Sequence, residues 1–129
     1  VGRAGLQVLA QFLRGRFDSY EIIVVDDGSA DNTLETLRSV TAIPLKVISN
    51  GTNRGKGFSV KRGIQAAEKE FVLFCDADLS TPLPELVRFL PYFDQGYDIV
   101  IGSRALPHLW TRPVGRSSVS LTAPASRGD

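Results

Sequence analysis

Four short polar clusters hold the residues able to do chemistry, and each lies just past an apolar run: Asp26-Asp27 after EIIVV, Asn53 to Lys56 in the loop after LKVI, Asp76-Ala77-Asp78 after FVLFC, and Ser103-Arg104 after DIVI. Asp76 and Asp78 stand one residue apart, so at a strand end their side chains can project to the same side and share one cation. Hard carboxylate oxygens suit Mg²⁺ or Mn²⁺, which keep some water and complete their shell with substrate phosphates, as in an ion bridging a diphosphate. The other role open to this pair is capping the helix that follows.

Asp26 and Asp27 can accept hydrogen bonds from a nucleobase or ribose, or can simply form a strand-to-helix turn with a capping side chain. Two adjacent acids closing a buried strand are more than a turn requires. The loop Asn53-Arg54-Gly55-Lys56-Gly57 precedes a helix, so its backbone N–H groups and two cations can approach an anion. It matches neither the P-loop spacing nor the dinucleotide fingerprint. Lys61 and Arg62 read as solvated helix face, Cys75 as packing, and His108, the one histidine, as a residue of an irregular tail, which leaves nucleophilic Ser/His or Cys/His catalysis without support.

The elements that must position these clusters follow from periodicity. Leu6, Leu9, Ala10, Leu13 and Phe17 recur at spacings of three and four, an amphipathic helix. Residues 21–25 read as a strand buried on both faces, then Asn32 with Glu35 as a capping-box start to a helix bearing Leu34, Leu37 and Val40. Residues 45–48 form a second strand, and Phe58, Val60, Ile64 and Ala67 line the next helix. Residues 71–75 are the most apolar strand. A helix from Pro84 then turns Leu86, Val87, Leu90 and Phe93 inward and is shortened or bent at Pro91. Residues 98–101 form the last strand. From Pro107 onward prolines and serines replace any apolar period, and residues 107–129 read as an irregular or disordered tail.

Alternating helices and short apolar strands define an α/β domain with a mainly parallel sheet and right-handed crossovers. In such sheets ligands sit outside the carboxyl ends of the strands, so the four clusters are expected on one rim.

Composition narrows the classes. At 129 residues one domain is expected, and 43% hydrophobic with 22% charged residues is the balance of a chain that folds. A formal net charge of +1 lacks the positive field of a nucleic-acid binder. One cysteine supports neither a disulfide scaffold nor a thiolate zinc site, and fits a reducing, cytoplasmic compartment. No apolar run approaches the roughly 18 to 20 residues of a membrane span, and no export signal opens the chain.

Taken in order and spacing, EIIVVDDGSADNT, NRGKGFSVKRGI, FVLFCDADLSTP and DIVIGSRAL resemble the family 2 glycosyltransferases of the GT-A fold, most of all the dolichyl-phosphate β-glucosyltransferases and related polyprenyl-phosphate enzymes. The resemblance covers roughly residues 3 to 106. It implies a three-layer α/β/α nucleotide-diphospho-sugar transferase that moves a sugar with inversion. The expected donor is UDP-glucose, with GDP-mannose the alternative, and the acceptor a polyprenyl phosphate. Asp26 and Asp27 match the pair that meets nucleobase and ribose. Lys56 matches a stretch lining the nucleotide pocket. Asp76 and Asp78 match the DxD motif, with Asp78 the metal ligand and Asp76 near ribose and diphosphate, and Arg104 joins the donor-binding set.

The metal, Mg²⁺ or Mn²⁺, would stabilise charge growing on the nucleoside diphosphate. A lipid phosphate, with a second pKa of about 6, needs little help from a protein base. The base that hydroxyl-using members employ lies past the matched region and has no counterpart here.

The chain departs from the family in two places. Members begin with a central strand and an acidic turn, which are expected to be missing because Val1 already lies in the first helix. They continue past Leu106 with an arginine-rich acceptor region, which PHLWTRPVGRSSVSLTAPASRGD does not resemble. A partial domain over residues 1–106 is therefore expected, truncated at both ends, with membrane contact only through the acceptor lipid or missing segments. Two other functions compete: a nucleotide-binding fragment without catalysis, and a sugar nucleotidyltransferase, whose N-terminal triphosphate loop is not visible.

Overall fold

The computed structural model describes residues 3–75, 83–100 and 118–124. Contacts divide the chain into two units, Val1–Ser80 with Arg116–Asp129, and Thr81–Gly115.

In the first unit, helix α1 (Arg3–Arg16) buries Leu6, Leu9, Ala10 and Leu13 along one stripe, as their spacing predicts. Strand β1 (Ser19–Asp26) follows, and Ile22, Ile23, Val24 and Val25 are all completely buried. A strand with both faces covered cannot alternate, which explains the continuous apolar run. Burying each such side chain contributes roughly 1.5–3 kcal/mol. Helix α2 (Thr33–Arg38) buries Leu37. Strand β2 (Leu45–Ser49) pairs parallel to β1 in the register Ile22 to Leu45 through Asp26 to Ser49. Helix α3 (Lys56–Ala66) and strand β3 (Phe71–Phe74) complete the run of alternating elements.

Strand β4 (Ser118–Pro124) is the departure of greatest consequence. It lies between β1 and β3, parallel to both, giving the order β2-β1-β4-β3. An irregular tail was expected over 107–129, and over these seven residues that expectation is wrong. The proline and serine content hid a period of two, with Val119, Leu121 and Ala123 alternating with Ser118, Ser120 and Thr122, and Pro124 falls at the strand's last position. The sheet is fully parallel, so the α/β class holds. Its middle position is filled from late in the chain.

Smaller expectations also change. On α3 the buried residues are Ser59 and Gly63, whereas Phe58 and Ile64 are 40% and 47% exposed. The helix runs close to β1 and β4, and small side chains suit a close approach better than large ones. Asn32 makes no capping bond with its side chain. Asp31 takes that role, its Oδ1 accepting from the Thr33 N–H at 3.0 Å and also from the Thr33 hydroxyl. Strand β3 alternates half-buried and exposed residues, the pattern of an edge strand rather than of a buried one.

In the second unit, the helix expected from Pro84 is two short ones, α4 (Leu83–Val87) and α5 (Leu90–Asp94), with Pro91 in the first turn of α5. Leu90 and Pro91 are buried there. Residues 98–100 form no strand, and Ile99 is 79% exposed, so the strand expected at 98–101 does not form over its described part.

Candidate functional site

Because all four strands run the same way, their carboxyl ends share one edge. Asp26 is register partner to Ser49, Val25 to Pro124, and Phe74 to Thr122. Three of the expected site residues lie along this edge. Asp26 ends β1, Asp27 follows it, and Lys56 opens α3. Asp76, Asp78 and Arg104 lie outside the described residues.

The two neighbouring acids are both buried, at 2% and 8% exposure, but they are used differently. Asp27 spends both oxygens on the chain itself. Its Oδ1 accepts from the Arg54 N–H at 2.7 Å and from Asn50 Nδ2 at 3.0 Å, and its Oδ2 accepts from the Gly55 N–H at 3.0 Å. Asp26 Oδ2 accepts from the Ser29 N–H at 3.3 Å, whereas Asp26 Oδ1 is buried with no hydrogen-bond partner among the described residues. A buried acceptor left unmade costs roughly 1–3 kcal/mol, and more when charged, so this oxygen is poised to gain from an incoming donor.

The loop residues expected to face an anion are arranged otherwise. The N–H groups of Arg54 and Gly55 are taken by Asp27, so they hold the loop to the end of β1. Gly28, with φ of +79°, lets the turn after β1 press against that loop. A Cβ there would lie 2.7 Å from the Asn53 nitrogen and 2.8 Å from the Thr52 carbonyl carbon. Gly55, at φ +92°, turns the chain into α3. The two cations point outward over aromatic rings, with the Arg54 guanidinium 5.1 Å from the Phe58 ring centre and Lys56 Nζ 5.5 Å from that of Phe74.

Three site residues escaped sequence reasoning. Asn50 Nδ2 also donates to Ser59 Oγ at 2.8 Å, and Arg62 Nη1 donates to Asn50 Oδ1 and to the Ser49 carbonyl, both at 2.8 Å. Ser59 and Arg62 are three apart, one turn of α3, and that spacing of polar residues beside a small-residue stripe was the available signal. Among the described residues there is no cluster of three or more His, Cys, Asp or Glu side chains able to hold a metal ion.

A parallel sheet whose central strand β1 closes on two buried acids, with glycine turns and exposed cations beside them, has the arrangement in which α/β proteins take ligands at the carboxyl edge. The chain belongs to the family described as Glycosyl transferase family 2, whose match covers residues 3–117. Over 89 residues it is 38% identical to an undecaprenyl-phosphate 4-deoxy-4-formamido-L-arabinose transferase of Pectobacterium carotovorum, covering 67% of this chain and 27% of that protein. It is likewise 37% identical over 87 residues to a dolichol-phosphate mannosyltransferase of Pyrococcus furiosus, covering 67% of this chain and 25% of that one. The chain therefore spans about a quarter of the length of the curated relatives it matches. No solved structure matches it.

Proposed function

We propose that this chain carries the donor-binding part of an inverting glycosyltransferase that moves a sugar from a nucleoside diphosphate to a polyprenyl or dolichyl phosphate, with UDP-glucose as the first-choice donor. The observation that carries the reading is the unpartnered, buried Oδ1 of Asp26 on the carboxyl edge of the sheet. A nucleobase N–H or a ribose hydroxyl supplies the donor that this oxygen lacks. Lys56, exposed at the start of α3, adds positive charge for a diphosphate.

The metal belongs to the same proposal. Strand β3 ends at Phe74 on this edge, and the DAD sequence begins two residues later, so the chemistry of two closely spaced carboxylates at a strand end fits Mg²⁺ or Mn²⁺. Asp78, with Asp76 beside it, would hold the ion, and Arg104 would contact the donor. A bound divalent ion supplies positive charge against the departing diphosphate. In the transfer, an acceptor phosphate oxygen forms its bond to the anomeric carbon as the bond from that carbon to the diphosphate oxygen breaks on the opposite face, inverting the centre.

No described helix is long and apolar enough to cross a membrane. The proposal places the reaction at the cytoplasmic face of one, reached through the acceptor lipid. GDP-mannose is the second donor, favoured by the similarity to the Pyrococcus mannosyltransferase.

Calorimetric titration with UDP, GDP and their sugars, with and without Mn²⁺, tests the reading. Metal-enhanced binding of UDP over GDP supports the first donor, and the reverse order supports the second. An Asp78→Ala variant is expected to lose the Mn²⁺-dependent part alone. Binding without transfer to a polyprenyl phosphate assigns this chain donor binding only, and no binding by either nucleotide removes the proposal.

A further inference from the structure

We infer that Arg62 and Asn50 are positioning residues, forming with Asp27 a charge relay that sets the shape of the loop over residues 50–55 and so the place where α3 begins. The inference rests on the reading that this edge takes a nucleoside diphosphate. Its geometry, however, stands on the chain's own bonds.

Asn50 sits between a cation and an anion. Its Oδ1 accepts from Arg62 Nη1 at 2.8 Å, and its Nδ2 donates to Asp27 Oδ1 at 3.0 Å and to Ser59 Oγ at 2.8 Å. An amide has two N–H donors, and both are accounted for. Turning the amide over would set its oxygen against the Asp27 carboxylate and its NH₂ against the guanidinium, so only one orientation fits. The neutral side chain thereby links two groups of opposite charge. Each bond in the relay involves a charged group on at least one side or leads directly to one, the kind worth most in a partly buried setting.

The far end of the relay is the loop. Asp27 passes its charge to the N–H groups of Arg54 and Gly55 at 2.7 and 3.0 Å, the two residues that precede Lys56. Arg62 also holds the Ser49 carbonyl at the end of β2 at 2.8 Å, so one guanidinium nitrogen fixes both the strand end and Asn50. Arg62 and Ser59 lie on the helix whose first residue the loop delivers. The helix thus reaches back from its first two turns to define its own start. Asp26, left out of this relay, keeps its free oxygen.

The test uses the full chain and two readouts, amide hydrogen exchange at single residues and calorimetric binding of UDP and GDP with Mn²⁺. Arg62→Ala is expected to speed exchange at the Arg54 and Gly55 amides about tenfold, the equivalent of about 1.4 kcal/mol, with the amides of Ile22 to Val25 unchanged. Nucleotide affinity should fall by a similar factor, and Arg62→Lys should restore part of both. Asn50→Asp keeps the acceptor for Arg62 but sets a second negative charge against Asp27, and should open the loop further. Unchanged exchange at Arg54 and Gly55 in both alanine and aspartate variants overturns the relay. So does faster exchange spread evenly through β1, which marks a general loss of stability. Should the wild-type chain bind neither nucleotide while the selective exchange effect persists, the relay stands and the donor-binding reading falls.

Discussion

Two aspartates adjacent in sequence, both buried and both at the end of β1, have opposite duties. Asp27 accepts from Asn50, Arg54 and Gly55, and Asp26 leaves one oxygen without a partner among the described residues. Removing charge from each therefore has opposite consequences. Asp26→Asn should lower nucleotide affinity by about ten- to hundredfold, the worth of a hydrogen bond to a charged group, while leaving the urea midpoint unchanged or higher. Asp27→Asn turns one acceptor into a donor facing a donor. It should cost about 1–3 kcal/mol of stability, read as a lower urea midpoint, and should weaken binding only through the loop. The residue types were legible from sequence as a pair of acids closing a buried strand. Which one keeps an oxygen unbonded was not, because that depends on the bonds Asp27 makes to Asn50, Arg54 and Gly55, 23 or more positions away.

At the scale of elements, α3 is pinned at both ends. Its first turns hold Asn50 through Ser59 and Arg62. Near its other end Lys46 of β2 meets Glu21 of β1 at 3.0 Å and Glu68 at 3.2 Å, while Glu21 Oε1 accepts from the Glu68 N–H at 2.7 Å. The hydrogen bond to Glu21 raises the Lys46 pKa above its ordinary 10.5; desolvation by burial works against it, and Glu68 adds to the rise. A lysine raised in the folded state stabilises fully below its unfolded value of 10.5 and loses that contribution as pH climbs through the raised one. Wild type should therefore have a higher urea midpoint than Lys46→Met below pH 10.5, and the gap should shrink as pH climbs above it through the raised value. A gap that stays constant over that range removes the ion pair as its cause.

The same helix shows where periodicity misleads. Its presence was legible, since the glycine loop and the spacing of Phe58, Val60, Ile64 and Ala67 mark a helix, though Ala67 lies just past its end. Its buried face was not, because hydrophobicity favours Phe58 and Ile64 whereas the structure buries Ser59 and Gly63. A helix whose polar side chains must reach a neighbouring strand end buries what is small and hydrogen-bonded there.

For the whole molecule, the decisive fact is that the strand between β1 and β3 comes from residues 118–124, after the second unit of the chain rather than before α1. Strand β1 has Ser19 to Val25 in register with it, and β3 has all of Phe71 to Phe74, so neither neighbour pairs directly with the other. This was the part of the fold least legible in sequence: a short alternation of apolar and hydroxyl residues that ends on a proline carries a weak local signal, and only long-range pairing makes it a strand. A proline in the middle of a strand flanked on both sides removes a ladder bond and is poorly tolerated, whereas in an irregular tail it changes nothing. Thr122→Pro should therefore lower the urea midpoint by the equivalent of about 2–4 kcal/mol and speed amide exchange in β1 and β3 together. The loss should reach the site as well, because β4 separates Asp26 at the end of β1 from the end of β3, where the DAD sequence begins two residues on. Nucleotide affinity falling in step with stability would show that the late strand completes the binding edge; an unchanged midpoint would return residues 118–124 to the irregular tail that their composition suggests.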